Sequence, residues 1–414
     1  MEKSTTALRR IASPLLLGPR GIERNMVVTI DNGGIISDLS FCPRPDRLCG
    51  VEYYNGILIP AMINAHCHLE LSWMKGRLAP GGGLAAFAQG IAAERQKLCH
   101  SADSMRSISS SIDYWNAKMY SDGVGLVADT CNNNVTFATK LGSAIRYHSF
   151  VELFGFAPGG EERAAALMAE ARGNTLAAST TPHSAYSLND SRFKCAVEDF
   201  SDRKTGCEAT AVDGRTDSGC RRSPLSIHFM ESEQERQLFE NKGELWEWYR
   251  RAGFDLDFAG RYASPAERVL HLAPKERRIM LIHNTFIEED ELAALASHYG
   301  ENLTMTLCPC SNLHITGTLP PVEMIMRSGV RIAVGTDSLA SNRELSLVDE
   351  LKLFPQVSLT ELLRWATLSG AEAMGLQDEY GLIDVGRPAR ITLLEGIDFT
   401  HMSLRPDATT RRIA

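Results

Sequence analysis

Short apolar runs the length of a β-strand recur along this chain, each followed by a turn or by a stretch with helical periodicity, and this alternation restricts the fold more than any other feature. Eight such runs stand at residues 57–66, 123–130, 145–154, 175–185, 225–229, 278–286, 303–310 and 331–338. Several are apolar almost throughout, as in GVGLVAD at 123–129 and RIMLIH at 278–283, which is the pattern of strands covered on both faces. Strands that alternate with helices form a parallel α/β arrangement, because parallel neighbours need a crossover between them. Eight such units are the number that closes a (β/α)8 barrel, expected here over residues 58–384.

The chain ends read differently. Met26-Val-Val-Thr-Ile-Asp-Asn-Gly-Gly is a strand followed by a hairpin-type turn in a region without a convincing helix, and Gly386-Arg-Pro-Ala-Arg-Ile-Thr-Leu-Leu is a turn followed by a strand. Residues 1–57 and 385–414 are therefore expected to form together a small β-domain flanking the barrel. Residues 199–222 (DFSDRKTGC… continuing to CRR) turn polar and glycine-rich with no periodicity, and are expected to be a mobile insertion, either a lid or disordered.

Charge and cysteine usage narrow the class. A net charge of −8 provides no basic field for a nucleic-acid backbone. The apolar stretch near the start is short and is bounded by Pro14 and Pro19, too brief for a signal segment or a membrane span, so a cytoplasmic location is expected. Ten cysteines are scattered without CxxC pairs in a chain large enough to need no cross-links, and reduced thiols are the expectation. A small-molecule substrate fits better than a macromolecular partner; for assembly, a symmetric homodimer is the base-rate expectation.

The residues that carry chemistry sit at strand ends. Asn64-Ala-His66-Cys-His68-Leu-Glu70 closes the first run, and two histidines two apart on an extended chain point to one side, where both imidazoles can reach one ion. Alone, an HxH pair is a weak signal. His228 closes the fifth run, His283 lies near the end of the sixth and Asp337 near the end of the eighth. In a barrel these ends converge on one mouth, where active sites of that fold lie. A lone histidine is more often a core residue bonded to backbone; five polar residues at strand C-termini are not so easily explained.

The series NAHCHLELS, PHSAY, HFMES, HNTF, CPCSN and GTDS, in that order from about residue 57 onward, resembles the amidohydrolase superfamily, and most closely its aminohydrolase branch of cytosine, guanine, S-adenosylhomocysteine and aminofutalosine deaminases and triazine hydrolases. The resemblance implies a (β/α)8 barrel with a β-sandwich built from both termini. It implies that His66, His68, His228 and Asp337 hold the metal, that Glu231 shuttles protons, and that His283 orients the attacking water or polarises the substrate. It places His183 at a substrate-binding position and Glu70 and Trp73 where the family lines its pocket. Two-metal members use a carboxylated lysine at the end of strand four; TLAASTTPHSAYS contains none, so one divalent ion is implied. Three imidazoles and a carboxylate suit Zn first and Fe second. Ala61 stands where the family commonly has glycine and Arg390 where it commonly has an acid, and neither touches the metal set.

The leading functional expectation is hydrolytic deamination of an aminated heterocycle or nucleoside. Hydrolysis of another C–X bond on the same metal, such as dechlorination or cyclic-amide opening, is the second, and a catalytically inactive scaffold the third. Cys308 and Cys310 flank Pro309 without a base or orienting partner at a suggestive spacing, which gives a cysteine nucleophile little support.

Overall fold

The computed structural model describes residues 8–97, 102–198 and 223–414. Two four-stranded parallel sheets occupy the middle of the chain. The first runs Met62–Cys67, Val124–Cys131, Arg146–Leu153, Ala178–Pro182, and the second Leu225–Phe229, Ile279–His283, Leu303–Leu307, Arg331–Val334, with consecutive strands as neighbours throughout. Isolated parallel bridges join the two sheets at both edges, Ser184 to His228 and Cys67 to Asp337. Strands such as Met62–Cys67, Val124–Cys131 and Ile279–His283 are buried along their whole length, which accounts for their lack of polar alternation. Helices fill the connections: Ala102–Ser121 buries Ile108, Ile112, Trp115 and Met119, one stripe at helical spacing.

The run at 57–66 is not one strand but two. Ile57–Pro60 pairs antiparallel with Ile391–Asp398 and parallel with Leu15–Gly18, whereas Met62–Cys67 pairs with Val124–Cys131. The chain changes sheets at Ala61, whose N–H donates to the Arg390 carbonyl, while the next N–H, of Met62, donates to Gly123. Both strands are buried on both faces, so the switch leaves no polar residue to mark it. A Cβ on Gly125 would stand 2.8 Å from that of Ala61, so the crossing needs small residues. The run at 303–310 also divides: its strand ends at Leu307, and Pro309 opens a helix at a first-turn position where its missing N–H costs nothing.

The two chain ends meet. Ser403–Arg412, Ile391–Asp398, Ile57–Pro60, Leu15–Gly18 and Gly21–Arg24 make a five-stranded sheet, and Ile36–Phe41, Met26–Ile30, Arg9–Ala12 and Glu52–Tyr53 a four-stranded one. Ile11, Val28 and Ile36 from the second pack with Leu16, Leu58, Ile391 and Leu393 from the first in one buried cluster.

The expected insertion at 199–222 lies outside the described residues. Its flanks do not. The buried Arg277 guanidinium donates to the carbonyls of Val197 (2.5 Å) and Ser223 (3.0 Å), fixing both at the N-terminal end of the Leu225–Phe229 strand, opposite the end that carries His228. Among the described residues no helix is long and apolar enough to cross a membrane. Cys42, Cys49, Cys67, Cys131, Cys308 and Cys310 are free thiols.

Candidate metal centre and its cavity

The C-terminal ends of the strands bring four donors together. His66 lies in the first parallel strand, His68 just beyond it, His228 in the fifth, and Asp337 three residues past the eighth. All four are buried, and one donor atom of each falls within 4.8 Å of the others. His68 Nε2 and His228 Nε2 are 3.2 Å apart, and Asp337 Oδ1 stands 3.6 Å from both His66 Nε2 and His68 Nε2. Backbone strain concentrates here: Met230, His283, Asn284 and Asp337 all have positive φ, a conformation costing non-glycine residues about 1–3 kcal/mol each and typical of functional sites.

The chemistry of this set fits a divalent ion. Both ring nitrogens of His66 are buried without a hydrogen-bond partner, which is costly unless something else occupies them. His228 Nδ1 lies 2.9 Å from the His183 carbonyl and donates to it, leaving the Nε2 lone pair facing the cluster. Ser311 and Ser341 both donate to Asp337 Oδ2, at 2.6 and 2.8 Å, and so turn Oδ1 toward the histidines. Burial pushes the His68 pKa down to about 4 and that of His228 well below the usual range, so both are neutral near pH 7, as ligation requires. Burial favours a neutral Asp337, but His66, His68 and His283 outweigh it and keep the carboxylate charged.

Glu231 and His283 stand beside this cluster. Glu231 lies two residues past the Leu225–Phe229 strand and before the Ser232-capped helix Glu233–Phe239, buried rather than on a solvated first turn. Its loop is fixed by Glu235, whose carboxylate accepts the N–H groups of Met230, Glu231 and Ser232. Burial and the nearby Asp337 raise the Glu231 pKa well above the usual carboxylate range, which favours its protonated form. His283, lowered by burial to about 3, receives an N–H from Asn312 at Nδ1 (3.1 Å), which puts its own proton on Nε2. That Nε2 has no hydrogen-bond partner and points toward Glu231 Oε1, 3.6 Å away.

A hydrogen-bonded chain forms the adjoining wall. His183 Nδ1 meets Glu152 Oε1 at 2.6 Å, Asn132 donates its side-chain N–H to Glu152 Oε2 and its backbone N–H to Glu70 Oε2, and Arg95 donates to Glu70 Oε1. Burial opposes charge on His183, but Glu152 outweighs it and raises the histidine's pKa.

A cavity of about 360 Å³ opens onto these groups. His68, His183, His228, Glu231 and Asp337 line it; His66 and His283 stand behind. Glu70 is likewise not on the wall but holds Arg95 and Asn132, which are. Trp73 departs from the expectation of a pocket-lining residue. It lies in the short helix Leu69–Met74, packs against Leu71, Met74 and Ala340, and borders a separate surface depression with Lys75 and Trp115. The sequence reading missed the helix Gly83–Lys97, which supplies Leu84, Phe87, Ala88, Ile91, Ala92 and Arg95 to the cavity. Their spacing at i, i+3, i+4, i+7, i+8 and i+11 was the signal available. Tyr186, Trp248 and Phe154 complete the apolar side.

The sequence profile of the amidohydrolase family matches residues 57–411. The chain belongs to the amidohydrolase family. This amidohydrolase is 26% identical over 364 residues to an adenosine deaminase of Helicobacter pylori, covering 82% of this chain and 79% of that protein. Among solved structures, H. pylori aminofutalosine deaminase in complex with methylthio-coformycin superposes with a TM-score of 0.75 at 21% identity, covering 94% of this chain and 93% of that one. Atrazine chlorohydrolase from Arthrobacter aurescens, complexed with zinc, gives a TM-score of 0.66 at 17% identity over 92% and 86%. The amidohydrolase is thus a metal-dependent hydrolase of the kind that acts on carbon–nitrogen bonds outside peptides.

Proposed function

We propose that the amidohydrolase releases ammonia from an aminated heterocycle or nucleoside at one divalent ion held by His66, His68, His228 and Asp337. The ion is zinc in first place and iron in second, since the donor set is nitrogen-rich. The two edge bridges support closure of the eight strands into a (β/α)8 barrel over residues 58–384, with the strands from 1–57 and 385–414 packed as a β-sandwich. A single ion is favoured because no lysine ends the fourth strand, and the buried Lys140 is committed to Asp129.

When bound, the ion supplies the Lewis acidity that makes water a nucleophile at neutral pH. The residues do the rest. Asp337 Oδ1, the one oxygen not taken by serines, accepts a proton from the attacking water. His283 Nε2–H donates to the developing negative charge, and His183, held by Glu152, donates to a ring acceptor of the substrate. Glu231 gives its proton to the departing nitrogen.

The observation that carries this reading is the buried Glu231 carboxyl beside the His283 Nε2 and the four-donor cluster. An amine must be protonated to leave, whereas chloride leaves without a proton, so a built-in acid favours deamination over dechlorination. The complete donor set argues against an inactive scaffold. The test is an ammonia-release screen of zinc-loaded protein over aminated purines, pyrimidines, pterins and nucleosides. Turnover of at least one class is expected. Ammonia from none of them, with chloride released from a chlorinated triazine, would move the assignment to the second reading.

A further inference from the structure

Glu231 sits on a turn that is gripped from both sides. Asn284, next in the chain to His283, donates its N–H to the Phe229 carbonyl at 3.0 Å, and the Phe286 N–H donates to the Met230 carbonyl at 2.9 Å. These bonds tie the carbonyl side of the turn to the segment that follows His283. On the N–H side a single side chain of the helix Glu233–Phe239 takes three donors. Glu235 Oε1 accepts the Glu231 N–H at 2.7 Å and the Ser232 N–H at 3.3 Å, and Oε2 accepts the Met230 N–H at 2.9 Å. A capping box needs only one of the three, the bond to the cap residue Ser232. The two shorter bonds go to the residues before the cap, of which Met230 has a left-handed φ of 48°. A backbone in that region persists only where its surroundings over-determine it. Glu235 is wholly buried, and its helix is pinned to the same segment, since Arg236 donates to the Phe286 carbonyl at 3.1 Å.

We propose that Glu235 is the positioning residue for the acid, holding the turn at 230–232 so that the Glu231 carboxyl stands beside His283 where the departing nitrogen needs its proton. The inference rests on the deaminase reading and adds to it the group through which the proton is aimed. The grip requires a carboxylate of this length. A glutamine offers one accepting oxygen and sets an NH2 group against a backbone N–H, and an aspartate falls one methylene short of the turn.

Glu235→Gln and Ser232→Ala separate aiming from capping. Both weaken the start of the helix, because the Ser232 hydroxyl accepts the Gln234 N–H, but only the first releases the Met230 and Glu231 N–H groups. In zinc-loaded protein Glu235→Gln should lower kcat for ammonia release about tenfold to hundredfold with KM little changed, as misplacement by roughly 1 Å does, whereas Ser232→Ala should keep kcat. Glu235→Asp retains the charge, should lose kcat likewise, and replaces the glutamine variant if that one fails to fold. In a Glu231→Gln background Glu235→Gln should cost nothing further, because a residue that acts through another has no effect once the other is gone. Hydrogen exchange at the Met230 and Glu231 amides gives a readout independent of turnover, and should quicken in Glu235→Gln but not in Ser232→Ala. The same loss of kcat in both backgrounds, the same loss from Ser232→Ala, or unaltered exchange at those amides overturns the inference and leaves the deaminase reading intact. Ammonia from no aminated compound at all removes both.

Discussion

Lys140 and Asp129 form an ion pair whose side chains are wholly shielded from solvent, at 2.6 Å, and Asp129 also accepts the Leu69 N–H at the turn that follows His68. Removing one partner of a buried pair leaves an uncompensated charge, so Lys140→Met should destabilise the metal-free protein by about 3–5 kcal/mol in denaturant unfolding, and Lys140→Met with Asp129→Asn by less. Equal losses in the single and double variants would show that the pair contributes packing rather than charge compensation. Glu350 provides a pH-dependent counterpart. Its buried carboxyl accepts N–H groups from Cys310 and Asn342, and Asn342 in turn donates to the Thr336 carbonyl beside Asp337. Burial raises its pKa to about 8. The folded protein therefore holds this proton more tightly than the unfolded chain, and the stability it contributes is complete below about 4.5 and lost as pH rises toward about 8. The Tm of Glu350→Gln should accordingly gain on wild type between pH 5 and 8, in the range set by that shift; a constant difference would remove the assignment.

Elements position these residues through close contacts that the sequence only partly announces. Gly335 links the eighth strand to Asp337, and a Cβ there would lie 2.6 Å from the His66 N and 2.7 Å from its Cβ and O. Gly335→Ala must push the first and eighth strands apart, so it should lower metal affinity while far-UV circular dichroism stays near native; undiminished zinc binding would count against a tight junction there. The donors were legible because each ends an apolar run, and the HxH spacing and the H-F-M-E step survive in one dimension. Pairing was not legible. The 57–66 run conceals a change of sheet because both of its strands are buried on both faces, and hydrogen-bond partners rather than polarity place the break at Ala61. Nor was the wall: the Glu70–Asn132–Glu152–His183 chain joins residues far apart in sequence, and Trp73 turns away from the cavity for reasons of local helix geometry.

At the scale of the whole molecule, the chain ends and the residues flanking 199–222 have separate relations to the site. The strand Ile57–Pro60 leads through Ala61 directly into Met62–Cys67, so the sheet built from both termini braces the strand that carries His66. Val197 and Ser223, which flank residues 199–222, are fixed at the far end of the strand that carries His228. Replacing 199–222 by a short glycine-serine linker separates the two expectations for it: a large change in KM for ammonia release is the result expected of a lid, and unchanged release the result expected of a disordered insertion. The proposed reaction requires four donors that hold an ion and a separate acid that moves a proton. Glu231→Gln keeps the size of that side chain and removes its titrating group, and the decisive measurement is zinc content and ammonia release on one preparation of each protein. Close to one zinc per chain in both, with turnover lower in the variant by the roughly 10²–10⁴-fold that a positioned acid contributes, is the predicted result. Wild-type turnover in Glu231→Gln would contradict it.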